Sequence, residues 1–235
     1  MAKEKDVDGA GSGSPLGCVS GVEAARVALL ARGAGMRQHA EAVHRGTVNG
    51  IHDMRVASRR LRKALSEYGP LLEEAALEAF RERVRIVTES LGRPRELDVM
   101  LSMLSAERGE TGGSTRTALN AMMRVLKVRR KAAVEQCQRV AQSVGAPAFD
   151  EELRCLAEGL RAPEICHIRS ARRRLFRQYK RLGRRYERWN AGGGDAGLHG
   201  LRIGFKKLRY GCELYAPLYG KPFQRFLGRL KAIQE

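Results

Sequence analysis

Two histidines in this chain each open a run of cations at helical spacing. His52 is followed by Arg55, Arg59, Arg62 and Lys63. At about 100° per residue these cations fall within roughly 80° of the histidine, while Met54, Ala57, Leu61, Ala64 and Leu65 fall on the opposite face. His199, Arg202, Lys206, Arg209 and Tyr210 repeat the arrangement. Guanidinium forks and ammonium groups in a row offer donors to phosphate or carboxylate oxygens, and imidazole adds a donor whose charge depends on pH. The chemistry on offer is capture of an anion with many oxygens.

A charge run on an amphipathic helix is ordinarily a solvated face. Such faces mix signs, gaining roughly 0.2–0.5 kcal/mol per Glu/Lys pair at i, i+4. From Arg55 through Lys63 there is no acid, and none from Arg202 through Arg209. Like charges one turn apart repel, and a bound polyanion relieves that cost. A third stretch, Arg169 to Arg188, holds ten Lys or Arg and one acid, Glu187. Its Arg173, Arg177, Lys180 and Arg184 share one face, and Leu175, Tyr179, Leu182 and Tyr186 are expected to form its apolar side. This stretch directly precedes the second histidine helix, so a helical hairpin would bring both basic faces to one long anion. With so many cations, binding should depend steeply on salt through counterion release. His39, His44 and His167 lack such neighbours and are read as incidental.

The elements that must position these residues are all helical. Helical periodicity predicts helices at about 19–47, 51–68, 71–91, 95–108, 115–142, 149–161, 164–189, 198–216 and 222–235. Every proline lies in a break between them or in the Gly- and Ser-rich lead at 1–17, and no stretch alternates as a strand would. The fold class is all-α. It is also repetitive: Ile51 to Arg62 returns as Leu198 to Arg209, and the match runs on through Tyr68/Tyr215, Pro70/Pro217 and Leu71/Leu218. The expected organisation is a flexible lead at 1–17, a first helical-bundle repeat at 19–142 and a second at 149–235. These would form a duplicated bundle with pseudo-twofold symmetry enclosing a basic groove or pore. The run Arg229 to Glu235 resembles Arg83 to Glu89, which in the first copy leads into Leu91-Gly92 and Arg95 to Asp98. The second copy stops short of that counterpart, so it is expected to lack a covering helix there. The apolar surface left exposed could be met by a second chain, making a homo-oligomer.

Composition narrows the partner. Lys and Arg total 44 against 26 Asp and Glu, a formal charge of +18, with 43% hydrophobic residues to build a core. A polyanion is implied, whether nucleic acid, acidic membrane or phosphate polymer. No apolar run reaches the roughly 18 residues of a membrane helix, no signal peptide opens the chain, and no membrane partner is expected. Five scattered cysteines without a C-x-x-C pair suit reduced thiols in a cytoplasmic protein rather than disulfides or zinc.

Catalysis is not expected. The dense acidic groups, Glu73-Glu74 and Asp150-Glu151-Glu152, sit at helix N-termini where they match the dipole instead of clustering around a metal. No P-loop ending, nucleophile–base pair, metal site or cofactor motif is present. RNA or DNA is the alternative partner, a non-specific competitor at low salt. With aromatics at 6%, few rings are available for base stacking.

Three motifs resemble one family in combination. They are His52-x-x-Arg55-Val56-x-x-Arg59-Arg60-Leu61-Arg62, then Leu91-Gly92-x-x-Arg95-Glu96-Leu97-Asp98-Val99, then His199-x-x-Arg202-x-x-x-Lys206-Lys207-Leu208-Arg209-Tyr210. Together they resemble the CHAD domain, the conserved-histidine α-helical domain, over about residues 19–235. The resemblance implies paired helical bundles around a basic groove or pore, binding of inorganic polyphosphate, and association with polyphosphate granules. It also implies that His52, Arg55, Arg59, Arg62, Lys63, His199, Arg202, Lys206 and Arg209 contact phosphate. Arg95 and Asp98 match its second motif, read as structural, with Asp98 expected to hold one of the stripe arginines.

Overall fold

The structure, a computed structural model, describes residues 21–161, 167–216 and 219–233. Among them there are helices and no strand. In chain order they are α1 (Gly21–Arg37), α2 (Ala40–His44), α3 (Val48–Tyr68), α4 (Glu74–Ser90), α5 (Gly92–Glu110), α6 (Gly113–Gly145), α7 (Pro147–Glu158), α8 (His167–Asn190), α9 (Gly194–Tyr215) and α10 (Lys221–Ala232). A 3-10 turn, Gly69–Leu71, follows α3.

The helix ends follow from capping chemistry. The Thr47 hydroxyl accepts from the Gly50 amide at 3.1 Å and starts α3 earlier than the predicted 51. The Glu73 carboxylate accepts from the amides of Ala75 and Ala76 at 3.0 and 2.8 Å, which starts α4 at Glu74 rather than at 71. The helix predicted over 19–47 is two, interrupted at Gln38 and His39. Its second piece turns into α3 through Gly46, whose φ of +68° only glycine adopts without strain. A Cβ there would also meet Val134 of α6 at 2.9 Å. The turn is tied to α6 by Gln138, which donates to the His44 carbonyl at 2.6 Å, and by Arg130, which donates to the Gly46 carbonyl at 3.1 Å. Long-range contacts of this kind leave no local signal in the sequence.

The contacts divide the chain into two units, α1–α7 and α8–α10. The helix at 149–161, expected to open the second repeat, is α7 and belongs to the first unit. Its Phe149, Leu153, Leu156 and Ala157 are buried, with Phe149 against Phe80 of α4 at 5.4 Å between ring centroids. Leu153 lies over Gly33 of α1, closely enough that a Cβ on Gly33 would overlap it. The acids at its start pair with Arg37 at 2.8 Å through Asp150 and with Arg83 through Glu152. An amphipathic helix goes where its apolar face finds partners, and those partners are on α1 and α4. The core of this unit includes Leu29, Met36, Ile51, Met54, Leu61, Leu65, Leu91 and Leu97, all fully buried.

In the second unit, Leu182 of α8, Leu201, Leu208 and Cys212 of α9, and Leu227 and Leu230 of α10 share one core. Leu175, Trp189, Phe205 and Phe223 pack around it. Glycines on α9 let α8 come close. A Cβ on Gly204 would sit 2.9 Å from Leu182, and one on Gly211 would sit 2.8 Å from Gln178. No helix among the described residues is long and apolar enough to cross a membrane.

Candidate functional site

On α3 the predicted division of faces holds. Met54, Ala57, Leu61, Ala64 and Leu65 are buried, while His52 and Arg62 are exposed and Arg55, Arg59 and Lys63 half-buried. The cations of this stripe divide into two kinds. Arg55 reaches across to α4 and donates to the Thr88 carbonyl at 2.9 Å, so part of its donor capacity already holds helices together. Lys63 pairs with Glu67, an acid one turn on that is only 7% exposed. His52, Arg59 and Arg62 carry no ion pair or hydrogen bond among the described residues and present their donors to solvent.

The α9 stripe is built alike. His199 and Arg202 are exposed and without a side-chain partner among the described residues, and Lys206 is half-buried. Arg209 lies over the ring of Tyr210 at 5.1 Å and 3.9 Å from Glu213, with a fifth of its side chain exposed. The spans Arg55 to Lys63 and Arg202 to Arg209 hold no acid, but neither stripe ends without one. Each stripe meets an acid one helical turn beyond its last cation, Glu67 and Glu213, and the terminal cation of each is partly neutralised. The signal was in the sequence, since an i, i+4 acid is visible four residues on from Lys63 and from Arg209.

On α8, Arg173, Arg177, Lys180 and Arg184 are all exposed, as expected. The apolar side is different. Leu182 is buried and Leu175 partly so, but Tyr179 and Tyr186 are 59% and 51% exposed. Their places on the inner face are taken by Gln178, against Gly211, and by Arg185, which donates to the Gly200 carbonyl at 3.0 Å. The glycines of α9 admit long polar side chains to the α8–α9 seam, and the helix rotates to present its tyrosines to solvent. As predicted, α8 and α9 pack as a hairpin.

Asp98 does not hold a stripe arginine. It is buried and pairs with Arg130 of α6, the residue that also ties down Gly46, so its role is to fix the α2–α3 turn from which the α3 stripe starts. Nearby, burial pushes the Cys137 thiol up to about 11, with Arg130 opposing and Asp98 adding to the shift, so the thiol is protonated at neutral pH. The sequence reading set His39 aside. It lines a polar pocket between α1 and α3 with Arg32, Gln38, Asp53 and Arg60. Cys18, Cys166 and the lead at 1–17 lie outside the described residues, and nothing is described of the His167 side chain.

The sequence pattern that defines the CHAD domain matches residues 27–235. The chain belongs to the CHAD family. The solved CHAD domain from the plant Ricinus communis has a similar fold, with a TM-score of 0.68 at 24% identity, over 96% of this chain and 76% of that one. PptA from Streptomyces chartreusis is similar in fold with a TM-score of 0.63 at 17% identity, over 90% of this chain and 81% of that one. Among curated proteins no sequence matches.

Proposed function

We propose that this CHAD protein is a non-catalytic binder of inorganic polyphosphate, acting through the basic, His-containing faces of α3, α8 and α9. The observation that carries the reading is the set of cations whose side chains have no partner among the described residues: half-buried Arg59 and exposed Arg62 on α3, and exposed Arg173, Arg177 and Arg184 on α8 and Arg202 on α9. Apolar faces fix the helix backbones before ligand arrives, so less ordering cost falls on binding. Arg forks take paired phosphate oxygens, Lys63, Lys180 and Lys206 add point charge, and His52 and His199 add ring N–H donors. Polyphosphate has no bases, so cations and donors are all it requires. The repeated His helix belongs to the same proposal, as two copies of one cation-presenting element. Family membership supports the ligand class, and polyphosphate granules in the cytoplasm are the setting it implies.

The test is a competition titration near physiological salt, long-chain polyphosphate against RNA duplex at equal phosphate concentration. Displacement of the duplex by a wide margin is expected. Equal competition would mean that the +18 charge alone drives binding. The variant Arg59→Ala/Arg62→Ala/Arg202→Ala should weaken polyphosphate binding and reduce the salt slope by about one per lost contact, with unchanged helical circular dichroism. A loss of affinity in His52→Ala/His199→Ala would place the histidines among the contacts, and unchanged affinity would remove them.

A further inference from the structure

The described residues expose four large aromatics to 40% or more: Phe176, Tyr179, Tyr186 and Phe226. Three of the four stand on α8, the most basic helix of the chain, at 55%, 59% and 51% exposure. On that helix Phe176, Tyr179 and Tyr186 fall within about 80° of one another, spread over about 15 Å of axis. Arg173, Arg177, Lys180 and Arg184 line the adjoining flank, and Lys180 Nζ lies 4.8 Å from the Phe176 ring centroid. An aromatic track therefore runs beside a cationic track on the outer surface of one rigid helix.

We propose that this surface binds single-stranded nucleic acid, with bases stacked on the aromatic track and the sugar–phosphate backbone held by the cationic one. A phosphate polymer has no π face and makes no use of the rings. A duplex keeps its bases inside. A single strand offers both chemistries at once, an exposed base beside each phosphate. The rings are not needed for folding, because Leu175, Leu182 and Trp189 already supply the apolar contacts of α8 to its unit. An anionic membrane fits less well. The apolar stripe of α8 is spent against α9, and Gly183 interrupts the row between Tyr179 and Tyr186, leaving no continuous apolar face to insert. This site is independent of the polyphosphate reading, although the two ligands would compete for Arg173, Arg177, Lys180 and Arg184.

The test uses the full chain and the variant Phe176→Leu/Tyr179→Leu/Tyr186→Leu. Leucine keeps the charge and the apolarity, favours the helix at least as well, and removes the π faces together with the two tyrosine hydroxyls. Binding is measured by fluorescence anisotropy to a 12-nucleotide oligouridylate, to an RNA duplex with the same number of phosphates, and to long-chain polyphosphate. Vesicles of phosphatidylserine and phosphatidylcholine serve as the membrane probe. The expected result is a loss of about tenfold or more for the single strand, with duplex, polyphosphate and vesicle binding unchanged within about twofold. A single-strand affinity that the variant leaves intact overturns the proposal. So does vesicle binding by the wild type that exceeds binding to the single strand. Because Tyr186 also touches Trp189, at 6.0 Å between ring centroids, the double variant Phe176→Leu/Tyr179→Leu serves if the triple one loses helicity. Failure of polyphosphate binding in the wild type would leave this result standing, and the reverse holds as well.

Discussion

Arg130 and Arg59 show how differently one residue type is used in this protein. Arg130 is four-fifths buried and pairs with a buried Asp98 while donating to the Gly46 carbonyl, so its charge is consumed in holding a turn. Arg59 stands on α3 with no partner among the described residues, so its donors remain for a ligand. Removing one member of a buried pair strands the other, which costs about 3 kcal/mol or more. Arg130→Met should therefore lower stability by roughly that amount, read as a shift of the urea midpoint, while polyphosphate affinity per folded molecule stays near wild type. A small shift would show that Asp98 tolerates its burial without the guanidinium. The sequence identified Asp98 as structural but misnamed its partner. The partner lies on α6, and no local spacing connects α5 to α6.

At the scale of the element, capping and turn chemistry set the boundaries and the stripes inherit their placement. The backbone amides of Ala76 and Ala75 hold the Glu73 carboxylate below the usual glutamate range. A depressed folded-state pKa means that the cap stabilises α4 above the ordinary glutamate value, and the contribution is lost as pH falls through the lower folded value. The melting temperature of Glu73→Gln should therefore lie below that of wild type at pH 7, and the gap should close in acid. A gap that persists unchanged at pH 3 would assign the effect to something other than the charged cap. The hydrophobic periodicity of α3, α4 and α9 was legible because one buried face repeats every turn. The break at Gln38 and His39 was not, since the residues around it remain good helix formers and the interruption is imposed by contacts of α2 with α6. The rotation of α8 was hidden for a related reason. Tyr179 and Tyr186 look as apolar as leucine in a periodicity argument, and only the packing against α9 selected Gln178 and Arg185 for the inner face.

For the whole molecule, each of the two units carries a cationic stripe of its own, on α3 and on α8–α9. On the proposed polyphosphate reading, a long chain meeting each stripe in turn would make its second engagement intramolecular. Long-chain polyphosphate should accordingly bind more than about tenfold tighter than tripolyphosphate at equal phosphate concentration. Most of that advantage should vanish when either Arg59→Ala/Arg62→Ala or Arg173→Ala/Arg202→Ala is introduced, as isothermal titration would show. An advantage that survives in both variants would mean that one stripe suffices. By itself the sequence determined the all-helical class, the family, the buried and exposed faces of α3 and α9, and the +18 excess of cations. Each of these follows from composition, local periodicity or motif. Only the tertiary structure decided where the first unit ends, that Arg55 is spent on the Thr88 carbonyl, and which face of α8 meets solvent. Those outcomes depend on which side chains become neighbours across the chain, and no local pattern encodes them.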